Sequence, residues 1–171
     1  LNTVLIFLFM SKTLQSIRII KDFPKKGIAF YDISTILSNP KEFSKVVNRM
    51  ASEVRKLKAN TIVGIDSRGF IFASAVAYKL KMKLVMIRKK GKLPGKTHLI
   101  SYNLEYGSNN LEIQKDMLNK IDKVAIIDDI FATSGTMKAS IKLIKRSKAT
   151  IKGVIVLLEL DFLKGLSLIH I

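Results

Sequence analysis

The run Val124-Ala125-Ile126-Ile127-Asp128-Asp129-Ile130-Phe131-Ala132-Thr133-Ser134-Gly135-Thr136 constrains this chain more than any other. Four apolar residues make a buried strand, two carboxylates close it, a loop of small and hydroxylated residues follows, and a helix starts. A loop that opens onto a helix N-terminus presents unpaired backbone N–H groups and the positive end of the helix dipole, a setting for phosphate. Thr133, Ser134 and Thr136 add hydroxyl donors, and Gly135 permits close backbone approach. Asp128 and Asp129 are poorly placed to meet an anion directly. They suit hydrogen bonds from a sugar diol, or a metal held by the same ligand. Phosphate beside diol indicates a phosphorylated pentose. The run is no Walker loop, because it lacks that motif's glycine spacing and the Lys before Ser/Thr.

The rest of the chain alternates strand and helix. Asn39-Pro40-Lys41-Glu42 carries a helix cap, a proline at the first helical position and an acid in the first turn. Phe43, Val46, Val47, Met50, Ala51, Val54 and Leu57 then recur at helical spacing. Thr61–Ile65 reads as a short buried strand running into Asp66-Ser67-Arg68-Gly69, followed by a helix over Phe70–Leu80 and a strand over Leu84–Ile87. Strand Val124–Ile127, helix Met137–Lys145 and strand Val154–Leu158 complete the pattern. Such alternation predicts an α/β fold, a mainly parallel twisted sheet with helices on both faces. Ligands in such sheets sit at the C-terminal strand ends, where Asp66–Arg68 and Asp128–Thr136 both fall. The segment Arg88–Gly107 is long, polar and glycine-containing, and is expected to be a functional loop of the lid kind.

At 171 residues the chain fits one domain with a sizeable core. Residues 10–171 are expected to form it. Leu1–Phe9, apolar and followed by Met10-Ser11, is expected to be an upstream extension outside the fold. It lacks the basic start and small-residue cleavage site of a signal peptide. No stretch reaches the ~20 apolar residues of a membrane helix. The absence of cysteine rules out disulfides and fits a cytoplasmic location, and His98 and His170 alone do not suggest a zinc site. The net charge of +17 raises nucleic-acid binding. Its basic residues are spread from Lys12 to Lys164 and lysine dominates, so the charge reads as solvated surface with a share for polyphosphate, not as a specific nucleic-acid site.

Several segments in order resemble the adenine phosphoribosyltransferase family of type I phosphoribosyltransferases, from about Ile20 onward. They are Asp22-Phe23-Pro24-Lys25-Lys26-Gly27-Ile28-Ala29-Phe30, Gly64-Ile65-Asp66-Ser67-Arg68-Gly69-Phe70, Arg88-Lys89-Lys90-Gly91-Lys92-Leu93-Pro94-Gly95, Tyr102-Asn103-Leu104-Glu105-Tyr106-Gly107, Leu111-Glu112-Ile113-Gln114-Lys115-Asp116, and the Asp128–Thr136 loop. The resemblance implies a small N-terminal hood that binds the base and a flexible catalytic loop. It also implies transfer of a phosphoribosyl group from phosphoribosyl pyrophosphate to adenine, giving AMP and pyrophosphate, with Mg2+ held mainly through substrate. A homodimer and no membrane attachment are implied as well. By this likeness Asp128 and Asp129 hold the ribose hydroxyls, and Ala132, Thr133, Ser134, Gly135 and Thr136 take the 5′-phosphate. Arg68 lies over the purine or reaches the pyrophosphate. Arg88, Lys89 and Lys92, with Lys90, neutralise the leaving group. Ala29, Phe30 and Leu160 form the adenine slot. Glu105 moves the proton at the purine, next to Tyr106 in the catalytic loop. Two rival readings are a phosphoribosyltransferase for hypoxanthine or xanthine, and a non-catalytic regulatory or RNA-binding relative. The chain departs from the family pattern at Ser134 and Tyr31, and Ser167–Ile171 is expected to be the last strand reached by a shortened link.

Overall fold

The computed structural model describes residues 4–7, 16–103, 108–131 and 134–159. In chain order they form β1 (Val4–Phe7), β2 (Arg18–Lys21), β3 (Ala29–Asp32), α1 (Ser34–Leu37), α2 (Pro40–Lys56), β4 (Thr61–Ile65), α3 (Gly69–Leu80), β5 (Lys83–Lys89), β6 (Thr97–Asn103), β7 (Ser108–Gln114), β8 (Lys123–Phe131), α4 (Ser134–Arg146) and β9 (Thr150–Glu159). Seven strands make the main sheet in the order β1-β9-β8-β4-β5-β7-β6. The four pairings from β1 to β5 are parallel; β5–β7 and β7–β6 are antiparallel. The expected mainly parallel α/β sheet is therefore what forms, with a separate β2–β3 hairpin at the N-terminal side.

Alternation along the central strands sends side chains to two cores. Ile62, Ala125, Ile127, Ile155 and Leu157 pack with α2 and α3, while Val63, Ile65, Val124, Ile126, Val154 and Val156 pack with α4. Both faces of β4 and most of β8 are covered, which is why these strands are continuous apolar runs. Asn39 caps α2 as its sequence predicts, accepting from the backbone N–H groups of Lys41 and Glu42 at 3.1 and 3.2 Å. Helix α3 packs closely on β4 because Gly64 has no side chain there; a Cβ would lie 2.8 Å from that of Ala73.

Three segments differ from the expectation. The polar stretch Arg88–Gly107 is not one long loop. Strand β5 runs on through Lys89, and Thr97–Asn103 is a strand whose every residue pairs with β7. Its weak apolar signal reflects an outer position: Leu99 and Ser101 are exposed, and among its described side chains only Ile100 is buried. Strand β8 also runs past the two acids, since β9 continues alongside, pairing Asp128 with Val156, Ile130 with Leu158 and Phe131 with Glu159. Val4–Phe7, set aside on sequence, pairs in parallel with Gly153–Val156 as the outermost strand. Ser167–Ile171 lies outside the described residues.

Candidate active site

A cleft of about 260 Å³ opens at the C-terminal ends of β4 and β8, lined by Asp66, Ser67, Arg68, Lys89, Asp128, Asp129 and Thr136, with Ile65 and Ile130. The loop after β4, the end of β5, the acids on β8 and the start of α4 meet there, at the strand ends where ligands sit in open α/β sheets. The loop after β4 comes tight against β8 because residue 69 is glycine: a Cβ on Gly69 would stand 2.7 Å from Asp128 Oδ1.

Arg68 organises the cleft. Its Nε stands 2.7 Å from Asp129 Oδ2, and its Nη1 donates to the Tyr31 carbonyl at 3.3 Å. Its guanidinium lies 5.3 Å from the centre of the Phe30 ring, and Phe30 in turn packs edge-on against Phe23 at 5.1 Å. One arginine thus joins the β2–β3 hairpin to the acid pair. The Nε–H does not point along the Asp129 contact, so this ion pair holds no aligned hydrogen bond. Buried Asp129 Oδ2 is left without an aligned donor among the described residues.

The two acids are adjacent on β8, and the Asp129 backbone N–H donates to Asp128 Oδ1 at 2.9 Å. Burial, and then the adjacent Asp129 charge, push the Asp128 carboxyl well above its ordinary range; the Arg68 charge opposes this more weakly. Carboxyl oxygens lining the cleft accept hydrogen bonds from hydroxyls, which matches a vicinal diol.

The basic turn after β5 is tied down. Arg88 donates from Nε to Asp66 Oδ2 and from Nη1 to the Lys92 carbonyl, each at 3.2 Å, and its guanidinium sits over Phe70 at 5.7 Å. Glu112 accepts from the backbone N–H groups of Lys92 and Leu93.

The structure therefore brings Arg68, Lys89, Asp128, Asp129 and Thr136 of the expected residues into one cleft. Phe30 reaches it through Arg68. Gly135 lies in the first turn of α4, whose helix begins at Ser134. Ala29 is exposed on β3, and Arg88 and Lys92 do not line the cleft, Arg88 being held by protein partners and Lys92 being exposed. Glu105, Tyr106, Ala132, Thr133 and Leu160 lie outside the described residues. Sequence reasoning missed Asp66 and Glu112 as anchors. Glu112 sits between buried Leu111 and Ile113, so strand alternation assigns it to solvent, but the Lys92–Leu93 turn and Thr97 close over it and leave it only 5% exposed.

Hard oxygen donors in the cleft, one of them Asp129 Oδ2 with no aligned donor, suit magnesium chemically. No group of three or more His, Cys, Asp or Glu among the described residues could hold a metal by itself. The fit is to a hydrated ion that reaches the protein through a ligand's oxygens.

Residues 32–161 match the family model of the phosphoribosyl transferase domain. An adenine phosphoribosyltransferase of Mycoplasma mobile is 52% identical over 146 residues, spanning 85% of this chain and 84% of that protein. The chain belongs to the adenine phosphoribosyltransferase family. A second member, from Symbiobacterium thermophilum, is 46% identical over 151 residues, 88% of this chain and 89% of its own. Among solved structures, adenine phosphoribosyltransferase from Thermoanaerobacter pseudethanolicus matches with a TM-score of 0.88 at 40% identity, covering 92% of this chain and 91% of that one. The Saccharomyces cerevisiae enzyme, complexed with an imino-altritol bisphosphate and adenine, matches with a TM-score of 0.88 at 35% identity, covering 94% and 96%. The resemblance drawn from six segments of sequence thus holds for the family and the fold.

Proposed function

We propose that this chain is a purine-salvage enzyme that transfers the 5-phosphoribosyl group from phosphoribosyl pyrophosphate to adenine, releasing pyrophosphate and forming AMP. The observation that carries this is the meeting of a diol-matched acid pair, an arginine backed by an aromatic ring, and the start of a helix bearing Thr136, all in one cleft. Family membership and the adenine bound in the yeast relative support the choice of base. AMP, pyrophosphate and ribose 5-phosphate in the Trypanosoma brucei relative support the other partners.

Substitution at the anomeric carbon builds positive charge on the sugar and negative charge on the departing pyrophosphate. Asp128 and Asp129 hold the ribose hydroxyls, and one of them also favours the cationic sugar. Thr136 and Gly135, with Ala132, Thr133 and Ser134, take the 5′-phosphate at the start of α4, where N–H groups and the helix dipole favour an anion. Lys89 faces the leaving group. Lys92 and Arg88 serve the same charge from the turn behind it. Arg68 lies between Phe30 and the acids, on the border of base and sugar. Ala29, Phe30 and Leu160 form the base slot, beside Tyr106. Glu105 takes the N9 proton as adenine attacks, and Glu105→Gln is expected to lower turnover by roughly 10²–10⁴ with little change in affinity.

Asp128 and Asp129 would face a magnesium ion held mainly through substrate, which would supply charge neutralisation when bound. A homodimer and a cytoplasmic location complete the proposal; among the described residues no helix is long and apolar enough to cross a membrane. The test is a base panel with phosphoribosyl pyrophosphate and magnesium, followed by pyrophosphate release. Turnover confined to adenine and abolished by EDTA is expected. Preference for hypoxanthine or xanthine would overturn the base, and no turnover with any base would overturn the transferase.

A further inference from the structure

The strongest feature outside the cleft is a buried carboxylate on β7. Glu112 is 5% exposed and lies between β5 and β6, opposite Arg88 on one side and Leu99 on the other. Its Oε1 accepts two backbone N–H groups, from Lys92 and Leu93, both at 3.0 Å. Its Oε2 accepts the Thr97 hydroxyl at 3.3 Å. The β5–β6 turn is therefore folded onto a single oxygen. Its other end is tied by Asp66, which accepts from Arg88 Nε at 3.2 Å and faces the Lys89 N–H in a longer 3.5 Å contact. Arg88 closes the loop by donating to the Lys92 carbonyl at 3.2 Å. Two carboxylates thus hold the two ends of a turn whose exposed side chains are Lys89, Lys90 and Lys92.

That arrangement has a cost as well as a use. A carboxylate near an anion site repels the anion, and a buried one must be fully hydrogen-bonded to persist. Asp66 is matched by Arg88. Glu112 is matched by two N–H groups of the turn and by the hydroxyl of Thr97, the first residue of β6. Such an expensive group is retained where geometry matters more than charge: free lysine side chains on an unfixed turn lose entropy when they converge on a polyanion, and a fixed turn has lost it already.

We propose that Glu112 is a positioning residue that pre-orders the Lys89–Leu93 turn for the pyrophosphate group, acting through hydrogen-bond reach and not through its negative charge. This rests on the proposed transferase reading. Glu112 does not line the cleft, and its effect passes through the Lys92 and Leu93 amides.

Because both amides meet the same oxygen, a glutamine keeps them: its carbonyl takes the place of Oε1, and the Thr97 hydroxyl turns to accept from the new NH₂ group. An aspartate keeps the charge but is one methylene too short. Glu112→Gln and Glu112→Asp therefore separate reach from charge, and neither removes enough volume to empty the core. The readouts are calorimetric binding of pyrophosphate with magnesium, hydrogen exchange at the Lys92 and Leu93 amides, and KM for each substrate. Glu112→Gln is expected to match the parent in all three. Glu112→Asp is expected to expose both amides to exchange and weaken pyrophosphate binding about tenfold, the scale of one or two lost backbone hydrogen bonds, with KM for adenine unchanged. Equal impairment in Glu112→Gln, or free amides in Glu112→Asp with parental pyrophosphate binding, would overturn the proposal while the parent still binds. A parent that binds no pyrophosphate would overturn the transferase reading together with it.

Discussion

Tyr102 Oη and Thr136 Oγ1 lie 3.1 Å apart, within hydrogen-bond distance. The pair connects the end of β6, three residues before Glu105, with the first turn of α4, which lines the cleft. Thr136 has one hydroxyl proton. When it donates to a phosphate oxygen, the Tyr102 hydroxyl is left as donor to Thr136, and the two bonds polarise in the same direction. Tyr102→Phe is therefore expected to raise KM for phosphoribosyl pyrophosphate about tenfold while kcat changes little, because one neutral hydrogen bond near the ligand is lost. The check is a double-mutant cycle in steady-state kinetics. In a Thr136→Val background the Tyr102→Phe effect should vanish.

Asp128→Asn and Asp129→Asn test the acid pair. Each removes a carboxylate from the point where the sugar becomes cationic, so each is expected to lower kcat by roughly 10²–10³ with the fold retained by circular dichroism. Parental kinetics in both variants would reduce the pair to a structural turn.

Gly69 offers a test that changes no functional group. A methyl at this position would stand 2.7 Å from Asp128 Oδ1 and 3.1 Å from the Ile127 carbonyl, so the loop or the carboxylate must move. Gly69→Ala is expected to lower kcat/KM at least as much as about tenfold, since a shift near 1 Å at a reacting centre has costs of that order or larger. Thermal unfolding should place the loss at the site and not in global instability; parental kcat/KM would show that the Asp128 position is not limiting.

Arg68 is expected not to tolerate lysine. Lysine can reach Asp129, but a single ammonium cannot stand over the Phe30 ring, pair with Asp129 and donate to the Tyr31 carbonyl together, as the forked guanidinium does. Arg68→Lys should raise KM for adenine and phosphoribosyl pyrophosphate together. A change confined to one substrate would assign Arg68 to that half of the cleft alone.

Asp32 carries the pH dependence of the hairpin attachment. Hydrogen bonds with Ser34 first, and with Arg18 next, lower its carboxyl from 3.8 to about 2. Its Oδ1 accepts the Ser34 backbone N–H at 2.9 Å, and Arg18 Nε donates to its Oδ2 at 3.1 Å across the β2–β3 pair. A carboxyl whose folded value is depressed binds fewer protons in the folded state, so its stabilisation is full above pH 3.8 and is lost as pH falls towards about 2. Denaturant unfolding at intervals across that window should show a steeper acid loss for the parent than for Asp32→Asn. Identical slopes would remove Asp32 as the cause.

What the sequence determined by itself was what depends on near neighbours in the chain. Cap, proline and apolar spacing set α2, and the continuous apolar runs of β4 and β8 marked strands covered on both faces. The acid pair followed by hydroxylated residues announced its chemistry because the strand–loop–helix unit that displays it is itself local. Only the tertiary structure decided which groups meet across distance. The strand at Thr97–Asn103 owes its existence to β7, since a half-exposed outer strand needs a partner's hydrogen bonds more than an apolar pattern of its own. Arg68 became the centre of the cleft because β3, α3 and β8 converge on it, and Glu112 became a buried anchor because the Lys92–Leu93 turn and Thr97 close over it. Spacing along a chain fixes the direction of a side chain relative to its own element; the partner awaiting it, and the burial that sets its strength, come from segments far away in sequence.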